Sequence, residues 1–207
     1  AAPGVEITHL IDPDPAMVKG TLDVLKNVES QPKIETDIRK VLDDKSVTAV
    51  VVAAPDHWHA IATVWAAERG KHVYCEKPVS HNLIEGRRMV EAARKYKVVI
   101  QAGTQRRSQP SVAAAREYVQ SGKLGKVSFA RAWIAGNRPN IGFAKPEPAP
   151  KGVDYDLWLG PASGEFTTNR FHYQWHWFWD LGTGELSATT AFTASTSRGT
   201  CWAWTRR

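Results

Sequence analysis

Apolar positions in the first half of the chain follow two periods, and together these predict alternating strands and helices. Residues from Val5 to about Ile11 alternate between apolar and polar and then run into Asp and Pro, which predicts a strand and a turn. The run VTAVVVAA, bounded by Pro55, is continuously apolar, as in a strand buried on both faces of a sheet. HVYCEKP and VVIQAG are the next predicted strands.

Helical segments separate the predicted strands. One helix is predicted to begin at Pro15, and TDIRKVLDD predicts a second, short helix capped by Thr36 or Asp37. A third helix, HWHAIATVWAAERG, is expected to be capped by Asp56 and to stop at Gly70.

The fourth helix, LIEGRRMVEAARKYK, has the clearest start signal, because Asn82 and Glu85 have the spacing of a capping box. The predicted order is β-α-α-β-α-β-α-β. Strands joined by helices of this length make right-handed crossovers, so the pattern predicts an α/β fold with a doubly wound parallel sheet. In such a sheet, ligands bind at the carboxyl ends of the strands.

Beyond Gly103 the regular alternation of predicted strands and helices ends. A helix is predicted from about Pro110 to Ser121, followed by a strand in VSFARAWIAG, a Pro-rich connection and the aromatic segment RFHYQWHWFWD. We place a domain boundary near residues 105–125 and expect a first domain over residues 1–110 and part of a second over residues 111–186.

Composition narrows the class of protein. The 207 residues are 43% hydrophobic, and the longest apolar runs are too short to span a bilayer, so we expect no membrane segment. The net charge of +6 comes from scattered bases, which argues against nucleic acid as a partner. Cys75 and Cys201 form no disulfide framework or zinc pattern, which favours a cytoplasmic protein; an export signal upstream of Ala1 is an open alternative.

Two stretches place polar side chains at predicted strand ends. In CEKPVSHN, Glu76 and Lys77 follow a strand and are expected to face the ligand crevice, although a solvated loop lysine is the plain alternative. In APDHWH, His59 is either a histidine on the helix surface or a cofactor contact near a helix N-terminus, where anions are favoured.

Taken with QAGTQRRSQP and the later WHWFWDLGTGEL, these two stretches resemble the Gfo/Idh/MocA family of glucose-fructose oxidoreductase and inositol dehydrogenase. The resemblance covers nearly the whole chain as far as Leu186. It implies an N-terminal Rossmann domain that binds NAD or NADP. It also implies a second α/β domain that covers the nicotinamide, so the fold is expected to be an incomplete Rossmann domain followed by part of an α/β second domain.

The resemblance also implies roles for individual residues. Lys77 would be the catalytic residue, steadying the alkoxide that develops as hydride leaves a sugar or polyol carbon. The expected cofactor-binding residues are Asp12, Pro55, His59, Glu76 and Lys77, and the expected substrate-binding residues are Gln105, Arg106, Trp175, His176 and Asp180. A carboxylate at Asp12 repels a 2′-phosphate, so NAD is favoured over NADP.

The expected function is therefore an NAD(P)-dependent oxidoreductase of a sugar or polyol, which we expect to be a homo-oligomer at full length. One alternative is a hydrolase or lyase of the same family that uses NAD transiently. Another is a metal enzyme built on His57, His59, His172 and His176, but the pattern supplies no acid or Cys to complete a ligand set.

The start of the chain lacks one element of a Rossmann unit. Asp12 stands where the ribose-binding acid belongs, so the matching Gly-rich turn is expected upstream of Ala1. The near match GTGELS at Gly182 follows no predicted strand, and we do not interpret it as a phosphate-binding loop.

The end of the chain breaks the pattern, since residues 187–207 contain no Leu, Ile, Val, Met or acid. In a shifted frame, codons permitted by these residues give GNNGIHGLDVARYVLGLDAA, which restores a helical period and the family's N-x-G-x-H segment. We therefore expect an out-of-frame tail with Phe192 in place of the catalytic His, and a fragment with little or no activity. A native Ser/Thr-rich tail is the alternative.

Overall fold

Short parallel strands and helices alternate through the first half of the molecule. The structure is a computed structural model that describes residues 5–25, 31–131 and 140–183. Its strands are β1 (His9–Ile11), β2 (Lys33–Glu35), β3 (Ala49–Val52), β4 (His72–Glu76) and β5 (Ile100–Gly103). Its α-helices are α1 (Pro15–Val24), α2 (Arg39–Leu42), α3 (Asp56–Glu68), α4 (Leu83–Tyr96), α5 (Pro110–Gln120) and α6 (Tyr155–Leu159), and 3-10 turns cover Gln105–Ser108 and His172–Trp177.

All strand pairs in the described residues are parallel, as predicted. β1 pairs with β2, and β3, β4 and β5 form a second ladder in that order. In that ladder Val52 lies opposite Cys75, and Glu76 lies opposite Gly103. The carboxyl ends of β3, β4 and β5 therefore share one edge, and Ile11 at the end of β1 packs against the core of the same ladder.

Strand β2 was not predicted from the sequence. It is a three-residue segment in which Lys33 and Ile34 are exposed, so it has no buried period to detect. Main-chain bonds hold it, since the Lys33 amide donates to the Thr8 carbonyl at 2.9 Å and the Asp12 amide donates to the Glu35 carbonyl at 3.1 Å. This segment is therefore a strand because its main chain pairs with β1, and its side-chain pattern gives no sign of it.

Helix α2 is shorter than TDIRKVLDD, and neither predicted cap is its N-cap residue. That residue is Ile38, whose side chain makes no capping bond. The Asp37 carboxylate nevertheless accepts the Arg39 amide at 2.9 Å and also pairs with the Arg39 guanidinium, which lowers the pKa of Asp37.

The prediction that β3 is buried on both faces was wrong. Val50 and Val52 are buried, whereas Val51 on the opposite face is 71% exposed. Helices α3 and α4 contribute to one core with the buried face, which explains the one-sided burial. That core comprises Val41, Leu42, Val47, Val50, Val52, Ala60, Ala62, Ala66, Val73, Cys75 and Met89.

The two long helices have different starts. The N-cap residue of α3 is Pro55 rather than the predicted Asp56, whose carboxylate is used elsewhere. Gly70 follows the end of α3 in the left-handed region, at φ 71°, as a helix-stopping glycine does. The capping box of α4 is confirmed, because Asn82 Oδ1 accepts the Glu85 amide at 3.0 Å and Glu85 Oε2 accepts the His81 amide at 2.8 Å.

Residues 140–183 pack around aromatic rings and contain no strand. The buried members of this aromatic cluster are Trp158, Phe166, Phe171 and Leu181. The Trp158 and Phe171 ring centroids are 5.0 Å apart, and those of Phe166 and Phe171 are 5.3 Å apart.

The connection between the two regions differs in part from prediction. Helix α5 is confirmed, but residues 127–131 are exposed and not in a strand, and residues 132–139 of VSFARAWIAG lie outside the described residues. The tail at residues 187–207 also lies outside them, and the domain bounds stay predictions. In the part of the chain that the structure describes, every helix is too short or too polar to cross a bilayer.

Candidate active site

Asp12 directly follows β1 and is half-buried. Its Oδ1 accepts the Asp14 amide at 2.8 Å, so the carboxylate is oriented by its own turn. Burial raises the pKa of Asp12, and the bond from the Asp14 amide opposes that rise. A carboxylate at this strand end has the hydrogen-bonding capacity to accept from ribose hydroxyls.

The 140–183 region approaches the end of β1. His172 Nε2 lies 3.0 Å from Asp14 Oδ2, and the Asp154 amide donates to the Pro13 carbonyl at 3.2 Å. Asp14 is 6% exposed and caps α1 through the Ala16 amide at 2.9 Å. The turn that carries Asp12 is therefore held from both regions of the chain.

Glu76 and Lys77 stand at the end of β4, as predicted, and both are half-buried. Glu76 Oε2 accepts the Lys77 amide at 3.0 Å, and a cis peptide bond joins Lys77 to Pro78. A side chain at Gly103 would lie 2.9 Å from the Glu76 Cα, so only glycine lets β5 approach the strand end this closely.

Cys75 precedes this pair and is fully buried. Burial raises the pKa of its thiol to about 11, and the Sγ lies 3.7 Å from the Val79 carbonyl oxygen. The protonated thiol is a poor nucleophile, which leaves Lys77 as the basic group at this strand end.

His59 is 1% exposed, so the helix-surface interpretation was wrong. Its Nδ1 lies 2.6 Å from the Pro78 carbonyl oxygen, and its Nε2 lies 2.8 Å from the Ala54 carbonyl oxygen. In this structure His59 links the loop that follows β4 to the turn that follows β3. Its direct contact with a cofactor stays a prediction.

The predicted substrate residues fall into two groups. Gln105 and Arg106 are exposed in the 3-10 turn that follows β5. In the aromatic segment, the Trp175 and His176 rings stack with centroids 3.6 Å apart, and Asp180 forms an ion pair with Arg170.

One side chain links the EKP stretch to the aromatic segment. His81, four positions after Lys77 in the sequence, has its Nε2 2.9 Å from the Trp179 carbonyl oxygen and 3.3 Å from that of Gly182. The two carbonyls require this nitrogen to carry the proton. The structure thus brings the aromatic segment to the loop that carries Lys77.

Sequence reasoning missed the contacts made by the first turn of α3. Asp56 Oδ2 accepts from Thr183, His57 Nδ1 lies 3.1 Å from the Leu181 carbonyl oxygen, and Trp58 Nε1 donates to the Trp158 carbonyl at 2.9 Å. These partners lie 100 to 127 positions away in the sequence. The APDHW motif is visible in the sequence, but nothing local indicates its partners.

The histidines do not assemble a metal site within the described residues, where no group of three or more His, Cys, Asp or Glu side chains has a metal-binding arrangement. His57 and His59 face main-chain carbonyls, and His172 faces Asp14.

A cavity of about 640 Å³ is lined by residues at the start of α2, by α3 and by the segment around α6. Trp58, Trp65 and Arg39 line it together with Asp154 and Asp156, and none of the predicted site residues does. The strand ends are the better candidate site, because in parallel sheets ligands bind where the carboxyl ends meet.

The residues at these ends fit a nicotinamide dinucleotide. A half-buried carboxylate follows β1, a helix N-terminus follows β3, and a Glu-Lys pair follows β4. The carboxylates can accept hydrogen bonds from ribose hydroxyls, and the helix N-terminus favours the negative charge of phosphate. The lysine can transfer a proton at the substrate. The first region therefore has the arrangement of a Rossmann-type nucleotide-binding domain.

Comparison with known protein families also identifies the first region as a Rossmann-type nucleotide-binding domain. The family model GFO_IDH_MocA, described as an oxidoreductase family with an NAD-binding Rossmann fold, matches residues 1–104, which is half of the chain. A second model, for the C-terminal alpha/beta domain of that oxidoreductase family, matches residues 131–192. The chain belongs to the GFO_IDH_MocA family.

Characterised relatives match parts of the chain. A levoglucosan dehydrogenase of Pseudarthrobacter phenanthrenivorans is 35% identical over 44% of this chain and 24% of its own length. A scyllo-inositol 2-dehydrogenase (NAD⁺) of Bacillus subtilis is 29% identical over 61% of this chain and 36% of its own length. A 2,7-anhydro-N-acetylneuraminate hydratase of Mediterraneibacter gnavus is 31% identical over 46% and 26%.

A solved structure gives the same fold. A levoglucosan dehydrogenase in complex with NADH and levoglucosan is similar with a TM-score of 0.50 and 28% identity, over 57% of this chain and 31% of that one. The chain spans about a quarter to a third of the length of these relatives.

Proposed function

We propose that this protein is an NAD-dependent oxidoreductase that acts on a hydroxyl group of a sugar or polyol. The observation that carries the proposal is the position of Glu76 and Lys77 at the end of β4, on the edge shared with β3 and β5, in a chain of an NAD-binding family. The inositol and levoglucosan dehydrogenases among its relatives support the substrate class.

Asp12 would hold the ribose hydroxyls of the adenosine half, and its carboxylate favours NAD over NADP. Pro55 and His59 would lie along the cofactor, and Glu76 would reach the nicotinamide ribose. When bound, NAD⁺ supplies the acceptor for a hydride from the substrate carbon.

Lys77 would act as the general base and as the group that stabilises negative charge on the substrate oxygen. Its amine would take the proton of the reacting hydroxyl, and the ammonium so formed would stabilise the negative charge that develops on that oxygen as the hydride leaves. The alcohol loses a hydride and a proton and becomes a carbonyl compound, so the products are a ketone or lactone, NADH and H⁺. Gln105, Arg106, Trp175, His176 and Asp180 would bind the substrate, with indole faces stacking on sugar C–H groups.

The test combines cofactor binding with turnover. NADH titration of the full-length protein is expected to show binding, and a panel of inositols and anhydrosugars is tested for NAD⁺ reduction. Turnover is expected from a full-length gene that carries both the upstream Gly-rich turn and the shifted frame from residue 187 onward. Lys77→Met should then lower kcat by about 10²- to 10⁴-fold while NADH binding is kept.

Lys123→Met, at an exposed lysine of the 121–124 turn, is the matched control and should behave as the unsubstituted protein. Equal kcat for Lys77→Met and Lys123→Met would contradict the assignment of Lys77.

A second candidate function is a hydratase, hydrolase or lyase that uses NAD transiently, and the hydratase relative favours keeping it. The two functions differ in net redox change. Accumulation of NADH in step with product supports the dehydrogenase, whereas product formation without net NADH supports the alternative.

The full-length protein is further proposed to be a cytoplasmic homo-oligomer. Apolar side chains exposed in this chain, among them Phe129, Phe143 and Trp179, offer surface for association. Light scattering of the purified protein measures its mass, and a monomer at all concentrations would contradict this part of the proposal.

A further inference from the structure

The turn formed by residues 179–183, here called the docked turn, is held by side chains from the NAD-binding region. Asp56 Oδ2 accepts the Thr183 amide at 3.0 Å and the Thr183 hydroxyl at 2.9 Å. His57 Nδ1 lies 3.1 Å from the Leu181 carbonyl oxygen. His81 Nε2 reaches two further carbonyls of the docked turn, those of Trp179 and Gly182.

The His57 contact is buried and the Asp56 contacts are partly buried, whereas the His81 contact with the Trp179 carbonyl is exposed. Asp56 is 2% exposed, His57 is 4% exposed, and Leu181 is fully buried. The Asp56 carboxylate lies in the first turn of the 13-residue helix α3, where the helix dipole stabilises a negative charge. A hydrogen bond to a charged group in such surroundings is stronger than one between neutral groups.

The donor and acceptor types match the main chain of the docked turn. Carbonyl oxygens accept only, so His81 Nε2 donates to them. Both ring nitrogens of His57 face carbonyl oxygens, Nδ1 that of Leu181 and Nε2 that of Trp158 at 3.3 Å, and the neutral ring donates to one of the two. The Thr183 amide donates only, and the carboxylate at position 56 supplies the acceptor. Side chains of one region thus bind the backbone of the other, and the Thr183 hydroxyl adds one side-chain contact to Asp56.

The position of these side chains in the chain connects them to the candidate site. Asp56 directly follows Pro55, and His81 belongs to the CEKPVSHN stretch that contains Lys77. Two of the three stretches expected to contact the cofactor, those after β3 and β4, therefore also hold the docked turn. Trp175 and His176, two of the proposed substrate residues, lie a few positions before that turn in the sequence.

We propose that Asp56, His57 and His81 are positioning residues that hold the aromatic segment over the nicotinamide edge through the docked turn. This inference rests on the proposed function for the identity of the edge, but the docking itself does not depend on it. Loss of these bonds is expected to loosen the segment and to expose bound nicotinamide to water, with little effect on cofactor affinity.

The first experiment measures docking without a cofactor, by hydrogen exchange of the 207-residue chain. Thr183→Val removes one donor to Asp56 and keeps the side-chain shape, whereas Thr183→Ser keeps the hydroxyl. Amides of residues 178–183 should exchange about tenfold faster in Thr183→Val and in Asp56→Asn. Thr183→Ser should stay close to the unsubstituted chain.

Arg69→Ala is the matched control, because Arg69 caps the other end of α3 and pairs with exposed Asp43. It should leave exchange at residues 178–183 unchanged. Equal protection of these amides in Asp56→Asn, Thr183→Val and the unsubstituted chain would overturn the docking.

The second experiment uses the fluorescence of bound NADH, which increases when nicotinamide is shielded from water. In Asp56→Asn and Thr183→Val the enhancement should fall, while the Kd for NADH changes less than about twofold. Thr183→Ser should restore the enhancement. A full enhancement in both variants, or a parallel loss of affinity, would overturn the positioning role.

The two proposals fail in different ways. If the full-length protein shows no NADH binding, the proposed function and the nicotinamide-covering role both fail. The exchange result would then still decide whether the docked turn is held by Asp56, His57 and His81.

Discussion

The two regions of this chain are held together by different kinds of packing. The described residues of the first region, 5–25 and 31–103, form parallel strand pairs and helices around a core dominated by Val and Ala side chains. Residues 140–183 have no strand, pack around aromatic rings and are fastened to the first region by hydrogen bonds to main-chain groups. The first region is thus held by its own strand pairing, whereas the second region depends on hydrogen bonds from side chains of the first.

Because of this difference, the proposed cofactor-binding residues and the proposed substrate-binding residues are positioned in different ways. The strand ends that carry Asp12, Glu76 and Lys77 are positioned by a hydrogen-bonded sheet. The aromatic segment that would hold the substrate is positioned by a few polar side chains and by ring packing. Changes at the junction should therefore affect the second region first.

The largest expected effect comes from Trp158→Ala. Trp158 is 5% exposed, stacks on Tyr155 and accepts the Trp58 indole N–H at its carbonyl. Removing the ring should destabilise residues 140–183 by about 3–5 kcal/mol, measured by hydrogen exchange of that region. Protection of α4 amides should persist, and its loss to the same extent would show that the two regions unfold as one.

Phe143→Ala is the control for this change, because Phe143 is an aromatic residue of the same region that is fully exposed. Its effect should stay within about 0.5 kcal/mol.

The next effect is expected at the junction between the regions, from Gly160→Ala. Gly160 has φ +50°, and a Cβ built there would lie 2.3 Å from the Trp58 ring. The added methyl should cost about 1–3 kcal/mol, seen as faster exchange in residues 154–162. Gly142→Ala separates strain from crowding, because Gly142 has φ +69° and no atom near its Cβ position. An equal cost at both positions would show that backbone strain is the whole effect.

A smaller effect, confined to the first region, is expected from Asn82→Ala. The change removes the acceptor for the Glu85 amide at the start of α4 and should lower the free energy of unfolding by about 1 kcal/mol. Asp at position 82 keeps the acceptor and should retain most of the stability. Urea unfolding followed by circular dichroism measures both, and equal losses would contradict the capping role.

The smallest effect is a pH dependence from His57. Burial lowers the pKa of His57 below its ordinary 6.5, so the unfolded chain takes up a proton at a pH where the folded chain does not. The contribution is present above pH 6.5 and is lost as pH falls from there through the folded pKa.

The measurement compares the free energy of unfolding at about pH 8 and about pH 5.5 for the native chain and for His57→Gln. The native chain should lose more stability on acidification than the variant. His72→Gln, at an exposed histidine, is the control. An identical pH dependence in the native chain and His57→Gln would rule out His57 as its source.

Much of the first region could be predicted because its signals are local. The apolar runs located β1, β3, β4 and β5, and Asn82 with Glu85 marked the start of α4. Strand β2 escaped because three residues with exposed side chains carry no period, and only pairing with β1 makes them a strand. The one-sided burial of β3 also depends on which face receives the helices, as the exposure of Val51 shows.

Sequence alone predicts the order of the parallel strands and helices, apart from β2, and the placement of Asp12, Glu76 and Lys77 at strand ends. Those features follow from periodicity and turn chemistry within a few neighbouring residues. Tertiary structure decided that Asp56 binds Thr183 instead of capping α3, that His59 is buried between two loops, and that the docked turn rests on His57 and His81. Main-chain carbonyl and amide partners are the same at almost every residue, so a sequence cannot reveal which of them a distant side chain will bind.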